Sequence, residues 1–426
     1  FTLKDREFSE NENRYLAQKP YISLERIKTG EFMRDMEEYV SDQLPLRDSL
    51  TTARTELLKA AGSREINGVY LGKDGYLIEQ WLEQDFDEER LQNNIEALNG
   101  FLEVAGARAS VVIANPNGIS VNGGGFINTA QAMLTTGKPV YDSSNNLSRL
   151  HITGGTVSIN GNGLDASQTD SVDILARAVE VNAGVWANQA NVITGANDVN
   201  YADLKATAIV GQGEQPAVAL DVAAIGGMYA NKITLVGTEK GLGVNVAGTV
   251  SATQALALDN DGSLHITKTG AMYSDDTLSV HTTGNVLNEQ TLASGGNAVI
   301  HAEQGLTNTA VVGAGVSRDG KIDKTGTLTL HAPVITNDNA QIVSGGDMTV
   351  AADSISSKSG EFSSQANASL TVTNDLITDE GKVTAVGNLT IDAGSMPLTG
   401  IIASGGDTSI TTRDSLLMCD KEVIEV

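Results

Sequence analysis

DTLSVHTTGNV (276–286) and GTLTLHAPVI (326–335) decide how this chain folds. In each, Leu, Val or Ile alternates with small polar residues over about five positions, the period of a strand with one buried face. Gly, Asn or Asp then ends the run. The pattern returns in HITGGTVSIN (151–160), NKITLVG (231–237), GSLHITKTG (262–270), GDMTVAADSI (346–355), ASLTVTNDLI (368–377) and GNLTIDAG (387–394). Recurrence at roughly 20 residues is the regime in which one repeat is one coil of a solenoid. Ser-Gly-Gly also recurs, starting at 294, 344 and 404, each time ahead of Asn or Asp and another strand-like run.

One such coil cannot cover its own apolar face, so neighbours must supply both the core and the hydrogen-bond partners. The pattern therefore predicts a mainly β chain, a parallel β-helix over about residues 107–411. Val, Ile and Leu fill its narrow interior, and Gly and Asn serve corners that need left-handed backbone. About 15 coils stacked about 4.8 Å apart would give a rod of about 70 Å. A tandem β-sandwich would need longer strands, inward aromatics and a far longer repeat, none of which is present.

The bulk numbers bound the function. With 426 residues and 40% hydrophobic content the chain can bury a core. A formal charge of −25 and a pI near 4.5 argue against nucleic acid or an anionic membrane surface as partner. No apolar run approaches membrane-spanning length, so no membrane insertion is expected. Cys419 is the single cysteine, which excludes an internal disulfide, and no Cys/His cluster has zinc spacing. Phe1 does not begin a signal peptide, so the true start is expected to lie upstream.

Residues 1–103 differ in chemistry, being about one-third charged against about one-seventh for the remainder. Phe32, Met36 and Val40 predict a helix that stops before Pro45; Leu46, Leu50, Ala53 and Leu57 predict a second, ended by Gly62. INGVYLGKDGYLIEQ (66–80) reads as two short strands around Lys73-Asp74-Gly75. A third helix would carry Leu91, Ile95, Leu98 and Leu102 on one stripe. FSENENRYLAQKP (8–20), FMRDMEEYVSDQLPLRDS (32–49) and INGVYLGKDGYLIE (66–79) resemble the start of DHHW-motif proteins, relatives of the SGNH-like proteins of alginate O-acetylation. The Asp-His-His-Trp motif itself is missing and residues 1–103 hold no histidine, so acyl transfer lacks its base and the segment is expected to be silent.

NPNGISVNGGGFINTAQAMLTTG (115–137), GLDASQTDSVDILARAVEVNAGVWANQANVITGAN (163–197) and AIGGMYANKITLVGTEKGLGVNVAGTV (224–250) resemble the haemagglutination-activity, or two-partner secretion, domain of filamentous haemagglutinins and contact-dependent inhibition proteins. The resemblance implies a right-handed parallel β-helix, preceded here by a small helical/α+β segment. It implies export through the periplasm and across the outer membrane by an Omp85-type transporter, and a secreted or surface adhesin that meets a host or neighbouring-cell receptor. By the same resemblance Asn115, Pro116, Asn117, Gly118 and Ile119 form the motif tied to secretion competence. Physically, Pro116 fixes φ and Asn117-Gly118 supports a tight turn into the next strand, so the motif reads either as a fold-supporting turn or as a recognition surface. The expected division is 1–103 as a DHHW-like fragment, 107–250 as secretion domain, 251–411 as haemagglutinin-type repeats and 412–426 as an irregular tail. The abrupt join near 103–107 suggests a chimeric reading frame.

A chemical centre is not expected. Asp259-Asn260-Asp261-Gly262 starts like a calcium loop, but Gly270 stands at the twelfth position, so it reads as a corner. His151, His265, His281, His301 and His331 fall mostly one per coil and read as surface residues, not metal ligands. Gly241-Leu242-Gly243 and Gly313-Ala314-Gly315 open no helix and read as corners. Trp186 reads as a local core anchor rather than a sugar-stacking platform. No cofactor is expected. The favoured reading is a non-enzymatic adhesin fragment; the alternative is a β-helical polysaccharide lyase or hydrolase, which needs two positioned carboxylates.

Overall fold

A computed structural model describes residues 96–418, together with strands at Glu65–Ile66, Val69–Leu71, Leu77–Glu79 and Val423–Glu425. The chain is a parallel β-helix with three strands per coil. Leu264–Ile266, Ala271–Ser274 and Thr277–Thr282 make one coil, and Asn285–Asn288, Thr291–Ser294 and Ala298–Ala302 make the next. Each strand pairs in parallel with its counterpart one coil later.

Alternation places Leu278, Val280, Ile300, Leu328, Leu330, Met348 and Val350 in the interior, each at most 2% exposed. That interior forms one continuous core from Leu102 to Ile402. One column of paired residues climbs in fourteen rungs from Phe101 to Glu425. At about 4.8 Å per rung it is about 60 Å long, a little shorter than the sequence suggests.

The shortfall has a cause. Equivalent residues are 20 apart between Asn288 and Asn308, but 29 apart between Asn308 and Asn337 and 38 apart between Asn122 and Asn160. The long coils carry excursions. Lys138–Tyr141, Leu147–Ile152, Asn197–Asn200 and Ala206–Ala208 leave the helix and form a separate antiparallel four-stranded sheet. HITGGTVSIN is therefore not one solenoid strand: His151 and Ile152 belong to this sheet, and the coil resumes at Thr156.

Two devices hold the corners. Asn288, Asn308 and Asn337 are fully buried and hydrogen-bond in series: Asn288 Nδ2 donates to Asn308 Oδ1 (2.8 Å), Asn308 Nδ2 to Asn337 Oδ1 (2.8 Å), and Asn337 Nδ2 to Ser357 Oγ (3.2 Å). None of these asparagines is left-handed, unlike Asn128, Asn145 and Asn339. They serve the corners through side chains that satisfy buried amides rather than through backbone geometry. At another corner each Ser-Gly-Gly repeats one bond: Ser294, Ser344 and Ser404 Oγ donate to Gly296, Gly346 and Gly406 O at 2.7–2.8 Å. A Cβ at Gly345 would lie 1.7 Å from Lys324 O, so the coils close only over glycine there.

Both ends of the helix depart from expectation. Leu98 and Leu102 do not share a helix stripe; Glu96–Leu98 and Phe101–Glu103 are strands paired in parallel with Ile119–Ile127. A corner at Asn99–Gly100 lets both leucines meet the core, which helical spacing also satisfies. At the far end, residues 412–418 are not irregular but continue Thr408–Met418, paired with Leu389–Leu398, and Val423–Glu425 pairs with Ile401–Ser404. The hairpin around Lys73-Asp74-Gly75 is present, with Leu71 opposite Leu77, and Leu77–Glu79 pairs in parallel with Ala109–Ala114. The two helices over 31–61, the remainder of the DHHW-like stretch and Cys419 lie outside the described residues.

Candidate functional site

The motif Asn115–Ile119 links Ala109–Ala114 to Ile119–Ile127. Asn115 is fully buried; its Oδ1 accepts from Asn117 N at 2.9 Å and its carbonyl accepts from Gly118 N at 3.1 Å. The side chain thus makes an Asx turn inside a backbone turn. Gly118 has φ 133°, which a side chain would strain. Asn115 N reaches up to Thr135 O at 2.9 Å, and Ile119, 1% exposed, pairs with Glu96 below and Val157 above. Only Pro116 and Asn117 reach the surface. Within one motif, Asn115, Gly118 and Ile119 hold the coil while Asn117 offers its side chain outward.

That division is testable. Asn115→Ala removes a buried acceptor and is expected to cost about 1–2 kcal/mol, whereas Asn117→Ala, whose backbone alone is used, should stay within about 0.5 kcal/mol of the parent. Urea denaturation of the two purified variants measures the difference.

The four-stranded sheet covers the outer face beside this motif. Leu150, Ile152 and Val199 pack on Val112, Ala114, Met133, Leu175 and Ile193, so the strands beneath are buried on both faces. The segment after the sheet is held by Arg177. Its Nε and Nη2 donate to both Glu239 carboxylate oxygens (2.9 and 2.8 Å), and its Nη1 donates to Gln212 O and Glu214 O. Glu239 also accepts from Ala196 N. The hydrogen bond from Arg177 holds the Glu239 carboxyl below its ordinary value against the opposing effect of burial. Sequence reading missed this clamp because its partners are 62 residues apart.

The remaining candidates resolve individually. His281, His301 and His331 occupy one column on successive coils, with ring centroids 5.3 and 4.6 Å apart. His281 faces Asp259 at 2.8 Å and Glu303 at 3.4 Å, and the hydrogen bond with Asp259 is the main influence raising its pKa. His151 pairs with Asp198 and His265 with Glu289. Asp259 and Asn260 end the strand Thr249–Asn260, and only Asp261-Gly262 make the corner: the two carboxylates go separately to His281 and to Thr283 Oγ1, and a Cβ at Gly262 would lie 2.1 Å from Leu242 O. Gly241 lies in a turn, but Gly313 belongs to the strand Val311–Ala314 and is not a corner. Trp186 is not a core anchor. It is 43% exposed because Val185 takes the inward position and alternation sends the indole outside. Among the described residues, no group of three or more His, Cys, Asp or Glu side chains is placed to hold a metal ion, and no helix is long and apolar enough to cross a membrane.

The coil stack, with the motif turn set into one of its corners, defines the class as a parallel β-solenoid. Residues 92–266 match the TPS secretion domain, and 311–377 and 384–417 match the haemagglutinin repeat. The chain is 35% identical over 325 residues to the tRNA nuclease CdiA of Escherichia coli O6:K15:H31, covering 71% of this chain and 9% of that protein. It is 50% identical over 161 residues to the 16S rRNA endonuclease CdiA of Enterobacter cloacae subsp. cloacae, covering 38% of this chain and 5% of that protein. The crystal structure of a filamentous haemagglutinin secretion domain is similar at 25% identity and a TM-score of 0.39, over 67% of this chain and 83% of that one. The chain is thus a two-partner secretion protein of CdiA-like and filamentous-haemagglutinin type. It is secreted through the outer membrane and displayed at the cell surface.

Proposed function

We propose that this chain is the transporter-recognised, non-enzymatic stem of a surface adhesin. The continuous ladder of paired coils supports this reading. Backbone polarity is satisfied internally from coil to coil, so each emerging coil has a template on the one before it and folding can proceed outward without ATP. The secretion domain engages an Omp85-type transporter, and the exposed Asn117 turn belongs to the surface that it reads. The rod then holds a binding surface toward a receptor on a host or neighbouring cell.

Export from cells carrying the cognate Omp85-type transporter tests the motif. Asn117→Ala should lower secretion while the purified variant keeps its unfolding midpoint; secretion at the parental level would remove Asn117 from recognition, leaving a turn that only supports folding.

A second reading follows from the nuclease names of the relatives: the rod is the delivery arm of a longer toxin. The match spans under a tenth of those proteins, so the nuclease activity is a property of the whole relatives. The net charge of −25 disfavours a nucleic-acid groove in this part. Purified chain should therefore cleave neither tRNA nor uronic-acid polymers, the latter followed by reducing-end release. Cleavage of the polymers, lost on Asp-to-Asn substitution, would establish the polysaccharide-active alternative instead.

A further inference from the structure

On the outside of the secretion domain one column of laterally paired residues runs from Phe101 through Asp165, Trp186 and Tyr229 to Tyr273. Trp186 and Tyr229 occupy adjacent rungs, 43% and 40% exposed, with near-parallel rings 17° apart and centroids 6.4 Å apart. The backbone beneath them is bare. A Cβ at Gly184 would lie 2.4 Å from Trp186 Cη2, one at Gly163 3.0 Å from Cζ3, and one at Gly227 2.6 Å from the Tyr229 hydroxyl. Glycine at these positions lets both rings lean over the sheet.

Two rungs further on, the protein fills an equivalent position itself. The Arg318 guanidinium sits 5.1 Å from the Tyr273 ring centroid, fixed by two hydrogen bonds to Asp275 and one to Ser251 Oγ. The column thus offers aromatic surfaces to flat polar groups, and the chain's own loop takes one of them. Among the described residues, Trp186 and Tyr229 stack only on each other.

We propose that Trp186 and Tyr229 form a stacking platform for a neutral pyranose glycan. A sugar ring presents a C–H face to an aromatic ring while its hydroxyls need polar partners at the rim. Those partners are at hand: Asp165 stands on the preceding rung, and Asn188, Asn231 and Thr253 are exposed two positions further along the same strands. Asp165 Oδ1 accepts from Ser167, Asn188 Nδ2 donates to Ser167 O and Thr169 O, and Thr253 Oγ1 donates to Asn231 Oδ1, so Asp165 Oδ2, Asn188 Oδ1 and Asn231 Nδ2 are the atoms left to meet a ligand. Trp186 and Tyr229 would carry consecutive sugars along the rod axis. An apolar peptide anchor is disfavoured because the rings stand on an open outer face, and sulfated or uronate polymers are disfavoured by the charge of −25. The proposal rests on the reading of the rod as an adhesin and supplies its ligand class; because the binding is tested in solution, it stands or falls separately from export.

The test uses the purified full chain and chito- and cello-oligosaccharides from mono- to hexasaccharide, with heparin as the anionic comparison. In a Trp81→Phe background Trp186 is the sole tryptophan, and its emission should shift on titration, with affinity rising with oligosaccharide length. By calorimetry, Trp186→Ala and Tyr229→Ala should each weaken binding about tenfold or more with unchanged circular dichroism, while Trp186→Phe and Tyr229→Phe retain it. The proposal is overturned if no neutral oligosaccharide binds, if heparin alone binds, if both alanine variants bind normally, or if these side chains prove to capture a protein partner and no glycan.

Discussion

Replacing Arg177 by alanine is expected to destabilise the secretion domain by about 3–5 kcal/mol, because it leaves a buried carboxylate without its partner. The Arg177 and Glu239 side chains are only 6% and 14% exposed, and their bidentate contact ties the excursion around Gln212 to the coils beneath. The pH dependence has a definite sign. Glu239 has a folded pKa held below its ordinary value by Arg177. Its contribution is therefore fully present above the unfolded carboxylate range, about pH 4.3, and is lost as pH falls through the lower folded pKa. In Arg177→Ala the carboxylate is destabilised at neutral pH and relieved on protonation. The gap between variant and parent, read from urea denaturation at a series of pH values, should be widest near neutrality and should narrow on acidification. A gap that is small throughout, or constant across the carboxylate range, would mean that the clamp does not hold the excursion.

The second large effect falls in the repeats. Asn308→Ala should cost about 2–4 kcal/mol, because one truncation removes a partner from the buried Asn288 Nδ2 and Asn337 Oδ1 and from the backbone groups Gln341 O, Ala310 O and Ala310 N. Asn288 Nδ2 keeps Val311 O at 2.9 Å, so the loss there is partial. Asn308→Ser should lose less, since a hydroxyl already serves the same line of contacts at Ser357. Each coil contacts mainly its neighbours, so the damage should concentrate locally. Hydrogen exchange should rise over roughly residues 285–345 and stay near the parental level in the secretion domain. Uniform loosening of the whole chain, or none, would contradict the role of the ladder.

The coil was legible in the chain because alternation and turn residues repeat locally. LTL at 328–330 and LTI at 389–391 each give two inward positions, and stacking follows from the need to cover them. The excursion sheet was hidden because RLHI at 149–152 alternates as any solenoid strand does; local pattern carries no sign of parallel or antiparallel pairing. The asparagine ladder was misassigned because Asn favours corners for two reasons, and only coordinates distinguish a left-handed backbone from a buried amide. Two features could have been found. His281, His301 and His331 each follow an inward Val, Ile or Leu at separations equal to the coil lengths, which places them in one column. Trp186 follows inward Val185 and Tyr229 follows inward Met228, so simple alternation sends both rings outside. In the motif, the turn at Asn117-Gly118 was readable from residue type, whereas the burial of Asn115 depends on the Thr135 carbonyl of the next coil.

Pairwise distances between spin labels test the stacked-coil architecture most directly, since export, presentation and the glycan platform all depend on it. Ser279, Thr349, Ser369, Thr390 and Ser409 lie in one outward column, reached through Val299 and Thr329. Labels at Ser279 and each of the other four in turn should give distances near about 14, 19, 24 and 29 Å, a constant step per rung. Distances that fail to increase from Thr349 to Ser409, or that bear no relation to the rung count, would show that the chain is not a rod of parallel coils.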